Sequence, residues 1–273
     1  MTLGSDGCGK IVEVGENVDC SWLGETVVIN PTSGWPSPHG SVSGASCSST
    51  DVPAMHNLKI LGMPQDGTFA EHVVVDVSRV HKKPAHLSVV EAASLPLAGV
   101  TAYRALFKQG LVKKCHSVFV TGIGSGVSTF AAQFAAALGC KVVVSSSSKE
   151  KLEQAIHRHA LVGGVLYTSP AKEWVQQAKE LIGNEGFDIV IDGAAGRDFN
   201  ELLKLLNPGG TIVSYGGTAG KPIDLDIFRV FLLQLRIIGT SMGSDEDFKE
   251  MIQFVEDFRI TPVVGEVHSW EVR

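Results

Sequence analysis

The chain has 273 residues, 44% of them hydrophobic and 19% charged, with a formal net charge of −6; that is enough for two ordinary domains or one large one with a substantial core. The acidic balance excludes the basic footprint that nucleic acid or an anionic membrane surface would require, and no apolar run is long enough to span a bilayer. The opening residues, Met1-Thr2-Leu3-Gly4-Ser5-Asp6, carry neither a basic region nor an apolar signal core, so the sequence reads as cytoplasmic.

In chain order, the first stretch is β-rich. Residues 10–15 alternate apolar and polar side chains, 25–31 form a strand ended by Pro31, and 69–75 form another introduced by Asp66-Gly67. Residues 32–53, rich in Ser, Gly and Pro, read as a long surface loop. No helix of convincing length precedes Val89; there Ser88 caps a helical region, which 99–107 continues. From Ser117 onward strands at 117–121, 141–145, 164–167, 188–192, 211–215 and 236–240 alternate with helices near 125–138, 149–159, 171–181, 199–206 and 245–258. Such alternation implies a parallel, doubly wound sheet with helices on both faces. Residues 263–272 return to strand character. The five cysteines, Cys8, Cys20, Cys47, Cys115 and Cys140, are scattered without a C-x-x-C pair, so they read as reduced, mostly buried thiols rather than a disulfide framework or zinc cluster.

The strongest motif is Val118-Phe119-Val120-Thr121-Gly122-Ile123-Gly124-Ser125-Gly126-Val127. A buried strand runs into a glycine turn and then a helix whose first N–H groups can hold a pyrophosphate. A purely structural strand–helix turn is the alternative. About 20 residues further on, where NAD-preferring sites place a carboxylate for the ribose 2′-hydroxyl, the chain has Ser145-Ser146-Ser147-Ser148-Lys149. Small hydroxyls and a cation suit the 2′-phosphate of NADP. A local role competes, since Ser147 and Glu150 have capping-box spacing, and Glu150 could itself turn toward the ribose.

These pieces, together with Gly4-Ser5-Asp6-Gly7-Cys8-Gly9, Val14-Gly15, Asp66-Gly67-Thr68-Phe69-Ala70-Glu71, the run from Ala92 to Tyr103, Asn207-Pro208-Gly209-Gly210 and Ile238-Gly239-Thr240-Ser241-Met242-Gly243, resemble the medium-chain dehydrogenase/reductase superfamily near its quinone oxidoreductase-like and zinc-type alcohol dehydrogenase-like branches. The resemblance implies an α/β protein. Residues 1–93 would be a partial GroES-like β domain and 94–262 a Rossmann domain, with 263–273 returning to the β domain and the active site in the cleft between the two. It implies that Thr101 lies against the nicotinamide, that Tyr167 approaches the adenosine ribose or its phosphate, and that Gly193, Ala194, Tyr215, Gly216 and Met242 line the cofactor channel. Ordinary helix or strand-end packing is the alternative for Thr101 and Tyr167. Zinc-dependent members carry His-Glu where this chain has Ser5-Asp6, and a cysteine where it has Leu97; the loop at 32–53 has only Cys47 of the four cysteines a structural zinc needs. No metal is therefore expected, and His39 and His56 read as solvated loop residues. Family members also begin earlier and end later, so the chain reads as truncated at both ends.

The expected activity is zinc-independent hydride transfer from NADPH to a small quinone or α,β-unsaturated carbonyl. The alternatives are an NADP-dependent alcohol dehydrogenase and a cofactor-binding protein with little catalysis. No general acid stands out; Tyr103, Asp6 and Asp66 are candidates with structural uses of their own. By resemblance the apolar strand at 235–239 would pair across a two-fold axis in a homodimer.

Overall fold

The computed structural model describes residues 1–35, 58–194, 196, 198–220 and 225–269. They divide into two compact units, Met1–Val100 with Met242–Arg273, and Thr101–Ser241. In the first, β1 (Cys8–Lys10) pairs antiparallel with β2 (Thr26–Ile29). A second small sheet joins β3 (Thr32–Ser33), β4 (Lys59–Leu61) and β5 (Pro64–Gln65). The first sheet is completed by β6 (Val80–Lys82), antiparallel to β2. Val27, Ile29, Leu61 and Val80 make the core of this unit, with Ile11, Trp22, Val73 and Val75 packed on it. Helix α1 (Val89–Ala93) opens on a capping box in which Ser88 and Glu91 exchange hydrogen bonds. Helix α2 (Pro96–Tyr103) follows, and a π-helical turn, Arg104–Gln109, prolongs it.

Two strands expected here are shorter or absent. The strand expected over 10–15 ends at Lys10, and residues 69–75 join none of the described strands. The Phe69 N–H bonds the Leu3 carbonyl, but Val74 is 98% exposed. Alternation tells which side chains share a face; a strand also needs a neighbour for its N–H and C=O groups. Residues 263–269 likewise carry no strand.

The second unit is built on six parallel strands: β7 (Ser117–Val120), β8 (Lys141–Ser146), β9 (Gly163–Leu166), β10 (Phe187–Asp192), β11 (Leu206–Ser214) and β12 (Arg236–Gly239). Their spatial order is β12-β11-β10-β7-β8-β9. The chain starts in the middle, runs out to β9, then returns to β10 and runs out the other way. The strands β7 and β10 thus flank the switch point, where an open α/β sheet has its crevice. The helices between strands are α3 (Gly126–Leu138), α4 (Lys149–His159), α5 (Ala171–Glu180), α6 (Phe199–Leu205) and α7 (Ile227–Leu232). Helix α7 has no counterpart in the sequence reading: its Ile227, Phe228, Phe231 and Leu232 are all exposed, so no one-sided apolar stripe marks it. The core on one face centres on Phe119, edge-on to Phe187 at 5.3 Å and stacked on Trp174 at 6.1 Å.

Helix α8 (Asp245–Asp257) belongs to the first unit and buries Phe248, Met251 and Val255. Its N-terminus is tied to β2 and β3: Asn30 Nδ2 donates to Asp245 at 2.6 Å, and Thr32 Oγ1 donates to the Gly243 carbonyl at 2.9 Å. Among the described residues no helix is long and apolar enough to cross a membrane.

Candidate functional site

At the end of β7 the backbone turns through Gly122 (φ +65°) and Gly124 (φ +110°), angles that side-chain-bearing residues rarely adopt. A Cβ added to Gly122 would meet open space, so a ligand has room to approach the turn closely. The Ser125 side chain accepts from the Ser128 N–H and so caps α3, and Ser128 Oγ donates back to the Gly122 carbonyl at 2.9 Å. The Ile123 N–H bonds the Ser145 carbonyl at 2.7 Å, and the Gly122 N–H bonds Ser145 Oγ at 3.2 Å. Gly126 and Val127 form the first residues of α3, whose N-terminal polarity favours an anion.

Across the switch point, Thr121 Oγ1 donates to Asp192 Oδ1 at 2.8 Å and accepts from the Gly193 N–H at 3.3 Å. The Ala194 N–H bonds Asp192 Oδ1 at 3.1 Å, and the Tyr215 N–H bonds the Asp192 carbonyl at 2.9 Å. The Tyr215 ring lies directly on Gly193, where any Cβ would come within 2.4 Å of it. From there the phenol reaches Ser125, to which it is hydrogen-bonded; burial raises its pKa and that bond opposes the rise. Tyr215 thus spans from the end of β11 over β10 to the cap of α3. The Gly216 carbonyl accepts from Ser214 Oγ at 3.2 Å.

The end of β8 divides the four serines. Ser145 and Ser146 are each 3% exposed; Ser145 braces the glycine turn, and Ser146 Oγ accepts the Ser148 N–H at 3.2 Å. Ser148, not Ser147, caps α4, accepting the Lys151 N–H at 3.3 Å. That frees exposed Ser147 from the expected capping role. Lys149 points away, its side chain 79% exposed and paired with Glu153 at 3.7 Å, while Glu150 accepts from Gln154 on the outer face of α4. The Tyr167 N–H bonds the Ser146 carbonyl at 3.1 Å, and the ring is 43% exposed beside this strand end.

The sequence reading missed Lys151. Its side chain runs over the glycine turn, with Cδ 3.3 Å from the position of a Gly124 Cβ. Helical side chains lean toward the helix N-terminus, so a lysine in the first turn of α4 reaches back over the end of β8. That geometry was the available signal. The open space at Gly122, the start of α3 and the Lys151 ammonium together fit the phosphates of a dinucleotide.

Thr101 is buried in α2, and Met242, with φ +57° and 6% exposure, opens the return of the chain to the first unit. The positions that resemblance links to zinc are brought together in the first unit: Asp6 Oδ1 accepts the Leu97 N–H at 2.7 Å, and Ser5 Oγ donates to the Leu61 carbonyl at 2.8 Å. Leucine offers no donor atom and the serine hydroxyl is engaged, so this set does not fit zinc. Among the described residues no three His, Cys, Asp or Glu side chains are placed to hold a metal; His39, Cys47 and His56 lie outside them. The acid candidates all have structural employment. Asp6 is raised by its surroundings against the Leu97 N–H, Asp66 accepts the Thr2 N–H at 2.6 Å, and Tyr103 stacks on Phe107 at 4.5 Å. The described thiols are not mostly buried as expected: Cys20 and Cys115 are exposed and Cys8 and Cys140 half-buried.

A glycine turn at the switch point of a parallel sheet with this order defines a dinucleotide-binding unit. Comparison with known proteins carries this further. The chain matches the alcohol dehydrogenase GroES-like domain over residues 1–85 and the zinc-binding dehydrogenase domain over 126–257. It is 38% identical to a zinc-type alcohol dehydrogenase-like protein of Leptosphaeria maculans over 96% of this chain and 72% of that protein. It is 33% identical to another zinc-type alcohol dehydrogenase-like protein, of Schizosaccharomyces pombe, over 98% of this chain and 75% of that protein. The crystal structure of an NAD-dependent alcohol dehydrogenase superposes with a TM-score of 0.83 at 32% identity, covering 97% of this chain and 74% of that one. The chain belongs to the medium-chain dehydrogenase/reductase superfamily, in its alcohol dehydrogenase-like branch, and is an NAD(P)-dependent oxidoreductase of that family.

Proposed function

We propose that the protein uses NADPH, without zinc, to reduce a quinone or an α,β-unsaturated carbonyl, as a cytoplasmic homodimer. The observation that carries the cofactor reading is the end of β8, where exposed Ser147, Tyr167 and the overlying Lys151 stand and the Glu150 carboxylate is engaged by Gln154. Hydroxyls and an ammonium hold a 2′-phosphate; a carboxylate there would repel it. When bound, the cofactor supplies the hydride. The chain's residues do the rest. The turn at Gly122 and Gly124 and the start of α3 hold the pyrophosphate, Thr101 borders the nicotinamide, and Gly193, Ala194, Tyr215, Gly216 and Met242 line the channel. The zinc-free reading is supported by Ser5 and Leu97, which leave carbonyl polarisation to hydrogen bonds and water. The dimer is supported by β12, an edge strand with exposed Ile237, next in the chain to the exposed apolar residues of α7.

The test is a paired titration of purified protein with NADPH and NADH, followed by intrinsic fluorescence. Tighter NADPH binding is expected. Lys151→Gln should weaken it about tenfold, roughly 1.4 kcal/mol, with NADH affinity nearly unchanged and Lys149→Gln nearly silent. Equal loss for both cofactors would move Lys151 from the 2′-phosphate to the pyrophosphate. Equal affinity of the unaltered chain for the two would overturn the NADPH preference. A turnover screen with quinones and enals separates the reductase from a cofactor binder with little catalysis. Zinc found bound and required for alcohol oxidation would favour the alcohol dehydrogenase reading, to which the NAD-dependent neighbour points. Light scattering that shows only monomer would remove the dimer.

A further inference from the structure

We propose that Cys115 and Cys140 form a thiol–disulfide exchange site for a small anionic disulfide such as glutathione disulfide, with Cys115 attacking and Cys140 resolving.

The pair lies at the N-terminal edge of the parallel sheet. The Cys115 N–H bonds the Gly139 carbonyl at 3.2 Å, and the Lys141 N–H bonds the His116 carbonyl at 2.9 Å. These bonds extend the β7–β8 register, in which Ser117 faces Lys141, by two residues, so Cys115 and Cys140 stand on a diagonal between adjacent strands. A strand spacing of about 4.8 Å and a rise of about 3.3 Å put their Cα atoms on the order of 6 Å apart, inside the window a disulfide spans. In regular strands a diagonal pair would point to opposite faces, but Cys115 has φ +71°, which breaks the alternation at that residue. Cys140 Sγ in turn points toward the same turn, donating to the Lys113 carbonyl at 3.3 Å.

The two thiols differ in the ways such a site needs. Cys115 is exposed, and exposed Lys113, Lys114 and Lys141 neighbour the pair in the chain, a setting that draws an anionic disulfide. Cys140 is half-buried; burial pushes its thiol up to about 11, with Cys115 and the Asp188 carboxylate adding to the rise and the His116 backbone opposing it. Cys115, the more exposed of the two thiols, reacts first. In that step the Cys115 thiolate forms a bond to one sulfur of glutathione disulfide, and the S–S bond breaks to release glutathione thiolate. The Cys140 thiol then loses its proton to solvent and attacks the Cys115 sulfur; the second glutathione leaves as a thiolate and takes up a proton. The protein pair is oxidised by two electrons and the glutathione pair reduced by two.

The glycine turn follows the other end of β7, so cofactor affinity should not change, and the site stands independently of the NADPH reading. The experiment treats the reduced full chain with glutathione disulfide under native conditions, traps free thiols, and maps peptides by mass. The expected product is a Cys115–Cys140 cross-link, about 2 Da lighter than the reduced pair, reversed by dithiothreitol. Cys140→Ser should instead keep one glutathione, about 305 Da, on Cys115, and Cys115→Ser should leave Cys140 free over the same interval. A stable adduct on Cys115 in the unaltered chain, or modification of Cys20 with neither Cys115 nor Cys140 affected, would overturn the proposal. The unaltered chain gives that answer even if a variant folds poorly.

Discussion

The six-stranded sheet and the segment at 69–75 use the same residue types to different ends. Phe119 and its neighbours on β7 lie between β10 and β8, paired with a strand on each side and with every side chain buried. Val73, Val74 and Val75 have an equally apolar sequence, yet two of the three side chains touch the core and Val74 stands in solvent. The difference is supplied by neighbours. A parallel sheet wound outward from its centre gives β7 a partner on each side, whereas the short strands of the first unit are paired along two or three residues. Hydrophobic content sets what can be buried; pairing decides what is.

The largest consequence belongs to the sheet. Phe119→Ala removes a fully buried ring that contacts both Phe187 and Trp174. It should lower stability by about 3–5 kcal/mol, read from the midpoint of denaturant unfolding. A loss below about 1 kcal/mol would mean that this core can collapse around the gap, and the contrast between the regions would fail.

An intermediate effect, and a pH-dependent one, belongs to the first unit. His81 on β6 packs against Phe248 of α8 at 5.1 Å between ring centres. Burial lowers its pKa from the ordinary 6.5, nearby Lys249 lowers it further, and Glu246 partly opposes them. The unfolded chain therefore binds a proton on His81 more readily than the folded one. The associated stability is present above pH 6.5 and is lost as pH falls through the depressed folded value. His81→Leu should flatten the acid side of the stability profile, while the unaltered protein weakens as pH falls below 6.5. Hydrogen exchange of β6 and α8 checks where the loss occurs; an unchanged profile would remove His81 from the account.

Much of the Rossmann unit was legible because its signals are redundant. Each of β7 to β10 is followed by a helix that buries apolar residues, and Gly122, Gly124 and the cap at Ser125 agree on where α3 starts. Even there, tertiary context decided details that spacing left open. The pattern Ser147-x-x-Glu150 is a good capping box on paper, but Ser148 takes the cap because the β8 strand runs on to Ser146. Lys149 and Lys151 are equally basic in sequence; the direction of helical side chains sends one to solvent and the other over the glycine turn. Strands at 10–15 and 69–75 were over-read for the opposite reason, since a local pattern carries no information about the partner. Helix α7 was under-read because its apolar residues face outward.

The smallest expected effect is the most pointed test of that difference. Val74 is 98% exposed, while Val73 and Val75 pack on the core formed by Val27, Ile29, Leu61 and Val80. Val74→Ser should therefore change stability by no more than about 0.5 kcal/mol, whereas Val75→Ser, which removes apolar area from a partly buried site, should cost about 1–2 kcal/mol. Both are read as shifts in the unfolding midpoint at constant denaturant slope. A loss at Val74 as large as that at Val75 would show that something covers the outer face of this segment in solution. Its alternation would then report a second buried surface, and the contrast with β7 would be one of degree.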